Sequence, residues 1–174
     1  MKIIEDKFLP NHFVNRYENI TIEFLKQHNI SAVMTDLDNT LVAFDDRDAN
    51  DNVIKWVKTL EASNIKLLIL SNGRQERVKA FAELHGIDYI NSAKKPLLKN
   101  FHEGLKRLGT KKKNTVMVGD QLMTDVLGAN RVGIRSILVI PVKEKDGWAT
   151  YLNRRIERVI MKYFKKKNMI TWED

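Results

Sequence analysis

Five short apolar runs, each closed by turn or polar residues and each followed by a helix-length stretch, constrain this chain more than any other feature. They are Ile30 to Met34, Lys66 to Leu70, Ile87 to Ile90, Val116 to Val118 and Ser136 to Ile140. Near-continuous apolar runs of this length read as strands buried on both faces. Between them, residues 51–63, 75–85, 96–108 and 125–131 carry helical spacing, with Gly86 as a stop signal and Pro96 at a first helical position. Alternating strand and helix with short connections predicts an α/β fold of three layers, a parallel sheet with helices on both faces and right-handed crossovers.

The remaining bounds come from length and composition. A chain of 174 residues with 43% apolar content suits one self-sufficient domain and excludes disorder as the main state. Within it the expected divisions are a helical N-terminal piece over 1–29, carrying Ile20, Ile22, Phe24 and Leu25, a core over 30–140 and a basic helix over 148–167. Cysteine is absent, so disulfides, zinc-thiolate sites, iron–sulfur clusters and thiol catalysis are excluded. The opening Met1-Lys2-Ile3-Ile4-Glu5-Asp6 lacks the apolar run of an export signal, and no segment approaches the roughly 20 apolar residues that span a bilayer. The expectation is a cytoplasmic protein, with room for peripheral contact at the inner membrane face. A net charge of +8 favours polyanionic company: phosphate, nucleic acid or anionic lipid.

In a parallel α/β sheet, ligands bind beyond the carboxyl ends of the strands, so the residues that follow each run converge. Asp36, Asp38 and Thr40 follow the first; Ser71, Asn72 and Gly73 the second; Lys94 and Lys95 lie near the third; Gly119, Asp120, Thr124 and Asp125 follow the fourth. Asp36 and Asp120, on different strand ends, can clamp a hard divalent ion such as Mg²⁺. Ser71 and adjacent backbone N–H groups can hold phosphate oxygens, and a lysine can neutralise developing negative charge. Asp36 and Asp38, two residues apart, can divide the work of nucleophile and proton carrier. Alone, an Asp-x-Asp is more often a solvated loop, Ser-Asn-Gly an ordinary turn and a lysine pair a surface charge. Their ordered occurrence at successive strand ends makes the phosphoryl-transfer reading the stronger one.

Asp36-Leu37-Asp38-Asn39-Thr40-Leu41, Ser71-Asn72-Gly73, Lys95-Pro96 and Gly119-Asp120-Gln121-Leu122-Met123-Thr124-Asp125 resemble the four ordered motifs of the haloacid dehalogenase superfamily of phosphatases. The resemblance covers residues 30–140 and is nearest to subclass IIIA, the YqeG-type group akin to phosphatidylglycerophosphate phosphatases. It implies a Rossmann-like sheet of the family's type. It implies Asp36 as nucleophile, Asp38 as acid and then base, and Mg²⁺ held by the carboxylates of Asp36 and Asp120 and the carbonyl of Asp38, with Asp125 behind them. Thr40 would orient the loop. Ser71 and the backbone of Asn72 and Gly73 would bind the phosphoryl group, and Lys95, in preference to Lys94, would neutralise it.

In this superfamily large caps are inserted between successive motifs. Here the intervals are 35 residues from Asp36 to Ser71 and 22 from Gly73 to Lys95, which the crossovers themselves fill. The site should therefore lack a large cap and lie open to a bulky phosphorylated substrate, with a lipid headgroup favoured over a nucleic-acid end. His12, His28, His85 and His102 show no metal-ligand spacing and are assigned nothing. Lys111, Lys112 and Lys113 precede a strand and read as a solvated loop opposite the site. From Trp148, the residues Leu152, Ile156, Val159, Ile160 and Tyr163 recur at helical spacing beside Arg154, Arg155, Arg158, Lys162 and Lys165 to Lys167. Such a helix either packs its apolar stripe on the domain or lays it on an anionic membrane. The leading expectation is a Mg²⁺-dependent phosphomonoesterase, with phosphatidylglycerophosphate as first substrate. A nucleic-acid-end or ribosome-associated phosphatase and a phosphoacceptor signalling module are the alternatives, and an idle scaffold is disfavoured by the intact set of parts.

Overall fold

The fold, a computed structural model, describes residues 2–43, 45, 51–143 and 151–173. In chain order its elements are α1 (Lys2–Phe8), β1 (His12–Val14), α2 (Ile22–Gln27), β2 (Ala32–Thr35), α3 (Asp51–Ala62), β3 (Lys66–Leu70), α4 (Gln75–Leu84), β4 (Asp88–Ile90), α5 (Leu98–Leu108), β5 (Thr115–Gly119), α6 (Leu127–Val132), β6 (Arg135–Val139), α7 (Tyr151–Lys166) and β7 (Trp172–Glu173). Among the described residues the strands form one sheet in the order β4-β3-β2-β5-β6-β1-β7, parallel at every pairing.

Two-residue alternation sorts each strand between two cores. Val33, Ile69, Val116, Val118, Ile137 and Val139 face the layer that holds Leu25 of α2, Val53, Trp56, Val57 and Leu60 of α3, and Val78, Phe81 and Ala82 of α4. Met34, Leu68, Leu70 and Met117 face Phe101, Leu105 and Leu108 of α5 and Ala129 and Val132 of α6. Farther along that second face, Phe13 and Leu138 pack with Ile160 and Phe164 of α7, and Ile4 and Phe8 of α1 lie against them. This is the expected three-layer α/β arrangement. The chain runs outward from β2 through β3 to β4, then returns to β5 on the other side of β2. The ends of β2 and β5 therefore meet at the point where the winding reverses, the place where such sheets bind ligands.

Three local expectations are corrected. The first 29 residues are not simply helical: β1 adds a strand beside β6, with Phe13 opposite Leu138. A three-residue strand between Asn11 and Asn15 is too short to show periodicity, and its pairing to β6 is set by tertiary contact. Pro96 does not open a helix. It follows a cis bond from Lys95, and α5 starts at Leu98 after its N-cap, Leu97. In place of a regular helix from Asp125, a π-turn over Leu122–Val126 leads into α6.

The tail stripe also divides. Of its residues Ile160 is buried on the domain, beside Phe164, which the stripe did not include, whereas Ile156 and Val159 are 41% and 67% exposed. Trp148 and the side chain of Leu152 lie outside the described residues. The two intervals between motifs hold α3 in one case and α4 with β4 in the other, and no cap appears among the described residues.

Candidate active site

β2 delivers Asp36 directly: its amide donates to the Val118 carbonyl at 2.9 Å, extending the ladder by one residue before the chain turns. The turn is tight. The amides of Thr40, Leu41 and Val42 all reach back to the Leu37 carbonyl, and Asn39 takes a left-handed φ of 62°. Leu37 and Leu41 are sunk in the core, so the polar residues between them are held at the sheet edge.

Beyond this edge, the structure brings together residues from all four motifs. Lys95 Nζ donates to Asp36 Oδ1 at 2.8 Å and lies 2.7 Å from Asp125 Oδ1, and all three residues are buried. Burial alone would lower the lysine's pKa, but Asp125 and Asp36 outweigh it and hold the ammonium charged. Lys94, its neighbour, is exposed with a φ of 52°. Asn72 ties the second motif to the third in both directions: its Oδ1 accepts the Lys95 amide at 2.8 Å, and its Nδ2 donates to the Lys95 carbonyl at 3.1 Å. Ser71 is buried, and its Oγ accepts the Gly73 amide at 3.0 Å. A Cβ on Gly73 would stand 2.9 Å from Asp38 Oδ2 and 3.2 Å from Ser71 Oγ, so the loop approaches this closely only as glycine.

Carboxylate oxygens of Asp36, Asp120 and Asp125 lie within 4.8 Å of one another. Thr40 Oγ1 donates to Asp120 Oδ1 at 3.1 Å, and Asp125 Oδ2 accepts the Gln121 amide at 3.1 Å. Gly119 permits this crowding, since a Cβ there would come within 2.2 Å of the Asp125 carboxylate. Burial pushes the pKa of Asp120 up against the opposing pull of Arg154, and Asp36 and Asp125 add to the rise. Asp125 is likewise raised by burial, against Lys95. Three buried carboxylates cannot all remain charged without cations close by. Asp125 Oδ1 has the Lys95 ammonium 2.7 Å away, one ammonium for three clustered carboxylates. An all-oxygen donor set of this kind fits Mg²⁺.

Asp38 stands apart. It is half-buried, and its Oδ1 accepts from Arg77 Nε at 2.6 Å. Burial raises its pKa, the Arg77 contact opposes this and Asp36 adds to the rise. A carboxyl biased upward beside one bonded to an ammonium is the division expected of an acid and a nucleophile.

Residues 6–133 match the family described as haloacid dehalogenase-like hydrolase. The chain belongs to that family. Over 167 residues it is 44% identical to the "Probable phosphatase YqeG" of Bacillus subtilis strain 168, covering 96% of this chain and 97% of that protein. It is 32% identical over 97 residues to a glyceraldehyde 3-phosphate phosphatase of Methanothermobacter thermautotrophicus, a match spanning 51% of this chain and 43% of that one. Among solved structures, the cobalt-bound deoxy-D-mannose-octulosonate 8-phosphate phosphatase of Haemophilus influenzae shares the fold at a TM-score of 0.54 and 15% identity, over 80% of this chain and 88% of that one. The family match and the phosphatase relatives together make the chain a haloacid dehalogenase-type phosphatase, similar to YqeG along nearly its whole length.

Three residues of this haloacid dehalogenase-like site carry no sequence signal assigned above. Arg77, in the first turn of α4, holds Asp38 and also donates to the Ala43 carbonyl at 3.0 Å. Arg154 of α7 donates to the Asp120 carbonyl oxygen at 2.8 Å and pairs with the Asp120 carboxylate. Glu157, one turn on, accepts the Met123 amide at 2.9 Å and pairs with Arg154 at 3.2 Å. One signal was available: Glu157 is the lone acid between Tyr151 and Lys167 and falls on the stripe of Ile160 and Phe164, where an acid needs a reason.

Proposed function

We propose that this phosphatase is a Mg²⁺-dependent phosphomonoesterase that works through an aspartyl-phosphate on Asp36, with an anionic lipid phosphate, phosphatidylglycerophosphate first, as substrate. The observation that carries the mechanism is the buried Lys95 ammonium bound to Asp36 at 2.8 Å, with a second buried carboxylate, Asp125, on its other side. Lys95 orients the Asp36 carboxylate and lies beside the place where an incoming phosphoryl group must sit. Ser71 and the amides of the loop that follows it are the donors for the phosphoryl oxygens.

Asp36 attacks phosphorus and the P–O bond to the alcohol breaks. Asp38 gives its proton to the departing oxygen. The same carboxylate then takes a proton from water, whose oxygen attacks the phosphorus of the aspartyl-phosphate, breaks its bond to Asp36 and releases inorganic phosphate. Mg²⁺, held by Asp36, Asp120 and the Asp38 carbonyl with Asp125 behind them, would supply Lewis-acid polarisation of the phosphoryl group. A phosphoacceptor module needs a lasting acyl-phosphate, and Asp38 two residues from the nucleophile is suited to hydrolysing one.

The lipid reading is supported by the lack of a cap among the described residues and by the outward face of α7, where Arg155, Arg158, Lys162, Lys165 and Lys166 are exposed on the helix whose Arg154 reaches Asp120. The test is phosphate release from phosphatidylglycerophosphate in mixed micelles, with and without Mg²⁺, for the native chain and Asp36→Asn. Mg²⁺-dependent release that falls to background in the variant is expected. Full activity of folded Asp36→Asn would overturn the mechanism. Turnover of an aryl phosphate without release from the lipid would move the substrate to nucleic-acid ends or to soluble sugar phosphates of the kind the archaeal relative is named for.

A further inference from the structure

The C-terminal helix lies outside the segment matched to the family, yet it places two side chains against the loop that carries the acidic cluster. Arg154 grips one residue at two points. One guanidinium nitrogen donates to the backbone carbonyl of Asp120, and the other pairs with its carboxylate at Oδ2. A planar fork used this way fixes both the position and the rotation of its acceptor, which a single lysine contact does not. The other carboxylate oxygen, Oδ1, is held by Thr40 Oγ1 at 3.1 Å. Asp120 is thus constrained at both oxygens from opposite ends of the chain.

Glu157 completes the arrangement. It is buried on a helix otherwise rich in cations, and it spends one oxygen on the Met123 amide at 2.9 Å and the other on Arg154 at 3.2 Å. Met123 lies in the π-turn that follows Asp120 and contains Asp125. The helix therefore pins the loop between those two carboxylates as well as Asp120 itself. Ile160 and Phe164 seat it on Leu122 and Val126 of the same turn.

We propose that Arg154 and Glu157 are positioning residues, a clamp through which α7 presents Asp120 and the Asp125 turn to the divalent cation. The proposal rests on the reading of these carboxylates as the cation's holders. The rival role for Arg154 is a competitor that occupies the cation's place. Glu157 favours the clamp: paired with Arg154 at 3.2 Å, it offsets guanidinium charge that would otherwise repel the cation.

The experiment measures Mn²⁺ binding to the full-length protein, without substrate, by titration calorimetry and by electron paramagnetic resonance. Native chain, Arg154→Met, Arg154→Lys, Glu157→Gln and Asp120→Asn are compared after circular dichroism shows each folded. Arg154→Met is expected to weaken Mn²⁺ binding about 10- to 100-fold, the usual effect of losing a partner behind a metal ligand. Arg154→Lys should recover part of it, and Glu157→Gln, which keeps shape and one acceptor, should show a several-fold loss. In turnover of p-nitrophenyl phosphate, Arg154→Met should need more metal for half-activation while its substrate KM at saturating metal stays near native. A purely structural role would lower Tm and leave the metal affinity in place. If Arg154→Met and Glu157→Gln bind Mn²⁺ as tightly as native while Asp120→Asn does not bind, the clamp is wrong and the metal reading stands. Tighter binding by Arg154→Met would make it a competitor. If the native chain binds no more Mn²⁺ than Asp120→Asn, both readings fall.

Discussion

At Asp38 two opposed influences meet on a single carboxyl: burial favours its protonated form, and the Arg77 guanidinium at 2.6 Å favours its charged form. A general acid must carry its proton when substrate arrives, so its pKa sets the alkaline limb of kcat/KM. Replacing Arg77 by Met removes the group that favours the carboxylate, which raises the pKa of Asp38 further. The expected outcome is an alkaline limb displaced to higher pH, with phosphoryl transfer retained, read from a pH–rate profile on an aryl phosphate; an unchanged or lowered limb would sink the assignment of Asp38 as acid. Nothing in Arg74-Gln75-Glu76-Arg77 marks the last residue as a partner of Asp38, because the contact spans 39 residues of chain. Asp36, Ser71, Lys95 and Asp120 were legible for the opposite reason. Each follows or neighbours a strand, and a parallel sheet converts strand order into spatial convergence. Asn72 falls between: its place at the site was legible, but its side-chain tie to both backbone groups of Lys95 was not.

For the elements, periodicity was a sufficient guide wherever a segment buries a continuous face. The runs that became β2, β3, β4, β5 and β6 lie within a residue or two of their observed bounds, as do α3 and α4. It was an insufficient guide at β1 and β7, which are three and two residues long: β1 pairs on the edge that β6 offers, and β7 pairs on the edge of β1 in turn. The C-terminal helix shows a third case. Its helical spacing was legible but not its buried face, which holds Glu157, Ile160 and Phe164 and is rotated away from Ile156 and Val159. Phe164 is fully buried against Phe13 and Leu138 of the sheet and Leu122 and Val126 of the turn. Truncating it to Ala should cost about 3–5 kcal/mol, as for other large-to-small changes of a buried aromatic. The check is a denaturant titration compared with native; a loss below about 1 kcal/mol would mean that α7 is not seated as described.

Over the whole molecule, α7 faces two ways. Its inner face spends Ile160 and Phe164 on the domain and its Arg154–Glu157 pair on the acidic loop, while Ile156 and Val159 stay exposed. Around those two apolar residues the outward face is cationic: Arg155, Arg158, Lys162, Lys165 and Lys166 are exposed, on a chain whose net charge is +8. No helix of the described residues is long and apolar enough to cross a membrane. The part of any attachment to anionic lipid that these cations supply weakens as added salt shortens the screening length. Each basic residue near such a surface contributes on the order of 1 kcal/mol. The combined change Arg155→Gln, Arg158→Gln and Lys162→Gln should thus reduce binding to phosphatidylglycerol–phosphatidylcholine vesicles about 100-fold at low salt. Turnover of a soluble aryl phosphate should stay at the native level, because none of the three side chains belongs to the clamp or to the acidic cluster. Sedimentation with vesicles, at two salt concentrations, separates the outcomes. Binding lost in the variant and in high salt would tie this helix face to a lipid surface; vesicle binding indifferent to both would remove these cations from the account of substrate.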